Sequence, residues 1–308
     1  MKAMKLENEQ RFHPGGNFTM NFQAKLLLVI ASWVGFQGFM VASELPQVIN
    51  VKNYEMAWFD EFDGDQLDTT KWTAAEEVRA KGNRWVPSLV SVADGKLKLG
   101  IKLSEDPKLR YDCGAVSTAR GKNRRNPLYA FIDGYVEARC KLPARVDADY
   151  WAAFWIMAGN VAADQPDTRM GHEIDIMESF NLMSGKRHKA AFHWNGYGAQ
   201  HNKDNIDLGD QPQLRDGAYH TYGLLWTTEY YGFYLDGKLV GKTDMLGLGK
   251  SGNGLTKSQG VCEKPGVILL SCESSAWPGN SAQWESKMNE SDEFLVDYVR
   301  AYHLKGKK

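Results

Sequence analysis

From about residue 51 to its end, this chain sustains no 3.6-residue apolar period; short alternating runs are broken instead by Gly, Asp and Asn. Such a pattern confines the chain to many short strands, and therefore to a sandwich or barrel rather than an α/β fold. The run Gly134-Tyr-Val-Glu-Ala-Arg-Cys-Lys-Leu142 places Tyr135, Glu137, Arg139 and Lys141 on one face, predicted to be wet. Val136, Ala138, Cys140 and Leu142 fall on the other, predicted to be dry. Tyr219 to Trp226, Tyr230 to Leu235 and the run after Asp236-Gly237 read as a meander, with the Asp-Gly step marking a tight hairpin. Phe294 to Tyr302 reads as a last strand, and no internal repeat is found.

Charge narrows the class of partner. The 37 Lys and Arg nearly cancel the 38 Asp and Glu, so nothing in the net balance points to nucleic acid or an anionic membrane, and neither is expected as a partner. The 10 Trp and 13 Tyr suit a cleft that stacks on sugar rings, and equally suit a β core. Residues 26–42 form an apolar run after Lys25 that ends in small residues near Ala42 and Ser43, the pattern of a cleaved secretory leader rather than of a membrane span. Residues 1–43 are read as an extension plus leader, with Met20 at the leader's start, and residues 44–308 as a single domain, exported to the periplasm or beyond the cell, with no lasting membrane association. A monomer is expected. Cys113, Cys140, Cys262 and Cys272 lack zinc-site spacing. Cys262 and Cys272 are the preferred disulfide pair, with free buried thiols as the alternative.

The segment Gly171-His-Glu-Ile-Asp-Ile-Met-Glu-Ser179 interrupts an apolar run with three acids. In a regular strand Glu173 and Asp175 share a face, and Glu178, five residues after Glu173, points away. One extra residue at Ile176 or Met177, a β-bulge, would bring all three together. Clustered carboxylates raise at least one pKa, which a general acid needs at neutral pH. A retaining glycosidase uses two carboxyl groups about 5 Å apart. Glu173 then serves as nucleophile, Glu178 as acid/base, and Asp175 as the acid that tunes the nucleophile. A solvated acidic edge or a divalent-cation site is the competing reading.

Around these acids the sequence resembles the glycoside hydrolases of family 16, in the branch with Glu-x-Asp-x-x-Glu and a bulge. The resemblance rests also on Phe59 to Trp72, Val92 to Leu97, Gly134 to Pro143, Trp151-Ala-Ala-Phe-Trp-Ile-Met157 and Phe294 to Tyr302, in order over residues 51 to 303. It implies an all-β, two-sheet antiparallel sandwich, a concanavalin-like jelly roll with a concave cleft, cleaving internal β-1,3 or β-1,3/1,4 bonds of a polysaccharide. It places Trp151 and Trp277 among cleft aromatics, Trp155 in the core, and His193 near the catalytic acids. Trp85 and Trp194 are further cleft candidates, with core positions as the alternative. The resemblance also suggests a structural calcium near Asp297, Glu61 and Gly95, while catalysis itself needs no cofactor.

The chain departs from the β-glucanase pattern where subsites would be built. Glu273-Ser-Ser-Ala-Trp-Pro-Gly279 keeps only the Trp-Pro-Gly, and the loop Asn195-Gly-Tyr-Gly-Ala-Gln-His-Asn202 is longer and more polar. A β-glucan is the first expectation; galactans such as agar, porphyran, carrageenan or mucin-type glycans are the alternative. Transfer to a sugar acceptor would use the same covalent intermediate. A lectin-like binding module on the same fold is the rival class, since a sandwich hosts both functions.

Overall fold

The computed structural model describes residues 53–142, 150–162, 166–179, 188–211, 216–249, 251–252, 256–274 and 293–306. The apolar run 26–42 and Trp277 lie outside the described residues. Alternation with a period of two yields strands that pair almost entirely antiparallel into two large sheets and a two-stranded ribbon. One sheet, among the described residues, orders the strands Asn202–Asp207, Lys189–Trp194, Gly171–Glu178, Tyr150–Gly159 and Gly266–Ser274, with short strands at its edges. The larger sheet runs through Lys238–Thr243, Tyr231–Leu235, Tyr219–Trp226, Gly134–Lys141, Glu293–Leu304 and Lys96–Leu103. The two-sheet jelly-roll sandwich expected from the sequence is the fold observed.

The apolar halves of these alternations meet between the sheets. Val136, Ala138, Leu224 and Phe233 of the larger sheet share one buried core with Phe154, Ile156, Ile174 and Ile268 of the smaller. Burying each such side chain contributes about 1.5–3 kcal/mol, which explains why strand register is so firmly set. The Asp236-Gly237 hairpin forms as expected, with both residues in the left-handed region at φ 47° and 76°. Among the described residues, no helix is long and apolar enough to cross a membrane.

Two expectations are corrected. The outward face of Gly134–Lys141 is not wet along its length: Tyr135 and Glu137 are buried. Tyr54, Tyr230, Tyr234 and Tyr302 gather with Leu225 over Tyr135, forming a second apolar cluster outside the sandwich. Tyr135 lies so close over Gly223 that a Cβ there would sit 2.1 Å from its hydroxyl. The second correction concerns the cysteines, all four of which are free and buried. Cys262 precedes the strand Gly266–Ser274 and Cys272 lies near its far end, so the extended chain between 266 and 272 alone spans roughly 20 Å. A disulfide tolerates about 7 Å between Cα atoms.

Candidate active site

The strand Gly171–Glu178 breaks its own alternation once. Against its neighbour Tyr150–Gly159, Asp175 pairs with Trp155 and Met177 with Phe154, leaving Ile176 without a counterpart. The extra residue sends both Ile176 and Met177 into the core, where Ile174 already lies. Glu173, Asp175 and Glu178 in consequence all line one cleft of about 960 Å³ on the smaller sheet's solvent face. Across the next strand Glu173 sits opposite His193.

Close carboxylates in a half-dry cleft perturb one another. Burial, then Glu173 and Glu178, push Asp175 well above the usual carboxylate range. Burial first and Glu173 second raise Glu178 to about 7, against a hydrogen bond from Trp151 that favours its charged form. Trp151 donates from Nε1 to Glu178 Oε1 at 3.1 Å. Burial lowers the pKa of His193, only partly offset by the charge of Glu173, so its ring stays neutral near pH 7. Its Nε2 lies 3.7 Å from Asp175 Oδ2 and 3.9 Å from Glu173 Oε1. The Glu173, Asp175 and His193 ligand atoms lie within 4.8 Å of one another.

Other residues in the cleft gave little sequence signal. The hydroxyl of Tyr197 donates a short hydrogen bond to Glu173 Oε2. Arg79 donates to Glu273 at 2.9 Å and Arg124 to Glu77 at 2.7 Å, and all four line the cleft. Lys122 and Arg125 stand exposed on its wall. The loop 195–202 was marked by its polarity, which pointed to the region of Tyr197 but not to its contact with Glu173.

The remaining expected site residues divide. Trp151 and His193 line the cleft. Trp155, expected in the core, is buried yet also lines the cleft, with Nε1 donating to Ser271. Trp85 and Trp194 are core residues rather than cleft aromatics, since both are fully buried. Trp85 lies beneath the guanidinium of Arg79, 4.1 Å from its ring, and Trp194 donates to the carbonyl of Thr256.

The residues suggested for calcium are engaged by protein cations. Both oxygens of Glu61 accept from Arg300, at 2.7 and 2.8 Å. Asp297 is paired with Lys96 at 2.7 Å and with Arg139, and the same Lys96 ammonium donates to the Gly95 carbonyl. The Asp297 carboxylate and the Gly95 carbonyl, two of the oxygens expected around a calcium, thus already hold a protein cation that such an ion would have to displace.

A family model described as "Beta-porphyranase A-D, GH16 domain" matches residues 51–304. A β-glucanase of Acetivibrio thermocellus is 26% identical over 258 residues, which cover 83% of this chain and 62% of that protein. β-Porphyranase E of Zobellia galactanivorans is 30% identical over 208 residues, 61% of this chain and 67% of that one. The chain thus spans under two thirds of the β-glucanase's length. Among solved structures, the endo-β-1,3-glucanase from Pyrococcus furiosus superposes with a TM-score of 0.60 at 24% identity, covering 82% of this chain and 95% of that one. That likeness is one of fold.

Proposed function

The chain belongs to glycoside hydrolase family 16, and on that premise we propose that it is an exported, retaining endo-β-glycanase whose substrate is an anionic β-galactan of the porphyran type. Residues 44–308 form its catalytic domain and 26–42 its leader. The chain falls in the branch with a bulged catalytic strand, a reading supported by the unpaired Ile176.

Glu173 attacks the anomeric carbon while Glu178 gives its proton to the departing glycosidic oxygen. Glu178, now a carboxylate, then takes a proton from the water that releases the sugar from Glu173, and retention follows from two inversions. Asp175, which burial and its two acidic neighbours push toward the protonated form, lies between them along the strand and is suited to tune the charge of Glu173. The observation that carries this chemistry is the register shift at Ile176, which turns an acid poised near pH 7 toward the same cleft as Glu173.

The substrate class rests on charge. A neutral glucan needs hydrogen-bond donors and stacking surfaces, but gains little from exposed cations. Here Lys122 and Arg125 stand exposed on the cleft wall, two cations suited to anionic substituents on the sugar chain, whereas Arg79 and Arg124 are already paired with Glu273 and Glu77. The name of the matching family model agrees with that choice. A neutral β-glucan is the second reading, favoured by the similarity to the Acetivibrio β-glucanase.

Incubation with porphyran, agarose, carrageenan, laminarin, lichenan and mucin, with linkage analysis of released oligosaccharides, tests the proposal. Porphyran is expected to shorten with retained anomeric configuration, and Glu173→Gln to abolish release. Release from laminarin or lichenan alone would favour the glucan reading. Binding without release, indifferent to Glu173→Gln, would sink the hydrolase and leave a lectin-like module.

A further inference from the structure

The loop after the strand Lys189–Trp194 turns back through two consecutive left-handed residues, Asn195 at φ 58° and Gly196 at φ 67°. The Gly196 N–H donates to the Val161 carbonyl at 2.7 Å, and the His201 N–H to that of Gly198 at 3.2 Å, so the loop is tied at both ends. This course brings Tyr197 over the catalytic strand. Its ring lies 6.3 Å from His193 and 5.6 Å from His201. The two imidazoles are parallel within 3° and joined by a 2.9 Å contact between His193 Nδ1 and His201 Nε2. Behind the tyrosine stands a braced histidine pair.

We infer that Tyr197 is a positioning residue for the nucleophile. The inference rests on reading Glu173 as that nucleophile. A carboxylate that attacks with one oxygen gains from having the other held, because rotation about its last bond otherwise spreads the attacking atom over many directions. Tyr197 holds Oε2, while Oε1 accepts no hydrogen bond among the described residues, with His193 Nε2 at 3.9 Å, and is the oxygen left for attack. Removing the hydroxyl should therefore slow the chemical step without weakening sugar binding. A hydrogen bond to a charged group lost in this way corresponds to a fall of about 10- to 100-fold in turnover.

The test compares Tyr197→Phe, which keeps the ring against both histidines, with Tyr197→Ala, which removes it. Cleavage of the polysaccharide accepted by the wild type is measured alongside Tm. Tyr197→Phe is expected to lower kcat by about 10- to 100-fold, with KM within about twofold and Tm unchanged. Tyr197→Ala should lose no less. Unchanged kcat in Tyr197→Phe overturns the inference, as does a raised KM with unchanged kcat, which would make Tyr197 a sugar-binding residue instead. A fall in Tm that matches the fall in activity would also overturn it. A wild type that cleaves nothing removes the catalytic reading, and the inference with it; an active wild type beside an equally active Tyr197→Phe removes only the role of Tyr197.

Discussion

On the outer face of the larger sheet, Glu61 meets Arg300 through two hydrogen bonds, and Asp297 meets Lys96 and Arg139. On the cleft face of the smaller sheet, Glu173, Asp175 and Glu178 meet one another, a tyrosine hydroxyl and an indole N–H. These two groups of acids carry the same side-chain chemistry under opposite rules. Lys96 and Arg139 keep Asp297 below its usual pKa despite partial burial. In the cleft, burial and like charge push Asp175 and Glu178 the other way. Outer acids of this kind stabilise the sheet, whereas cleft acids strain it and are available for proton transfer.

The comparison is most exposed to failure at Glu178. Glu178→Gln is expected to lower kcat by about 10²- to 10⁴-fold and to raise Tm, because one of the mutually repelling acids is gone. A lowered Tm would show that the cleft is not strained. A weaker effect should follow pH. A carboxyl raised to about 7 is protonated below that pH, so kcat/KM should fall about tenfold per unit above roughly pH 7 as the acid ionises. A profile flat to pH 9 would break the assignment of Glu178 as acid. The smallest effect belongs to the outer face. Arg300→Gln should cost up to about 1 kcal/mol in urea unfolding and leave kcat unchanged, and a calcium chelator should leave the wild-type Tm where it was. A chelator-induced drop in Tm would reverse the conclusion that protein cations already fill the outer site.

How much of this was legible in the sequence follows from the range over which each signal acts. Alternation and turn residues are local, and they gave the strand Gly134–Lys141, the Asp236-Gly237 hairpin and the uneven spacing of the three acids. Whether a tryptophan faces a cleft or a core depends on what covers it, and part of the cover is distant: Arg124, 39 residues on, joins the nearby Arg79 over Trp85. Tyr135 was misread for the same reason, since Tyr234 and Tyr302 arrive from strands about 100 or more residues later and bury the face that alternation marks as wet. The hydrogen bond from Tyr197 depends on two backbone angles in one turn. Asn and Gly announce such a turn, but not the direction in which it sends the next side chain.

Side chains along a strand obey a parity rule, and Ile176 is where this molecule changes parity. The steps from 173 to 175 and from 175 to 178 are even and odd, and the odd step is the written trace of the unpaired residue. Loss of one residue at that point would turn the acid at the strand's end inward to the core while every carboxylate kept its chemical identity. The position to which the reaction is geometrically most sensitive is thus occupied by an isoleucine, and what counts there is the presence of a residue more than its kind.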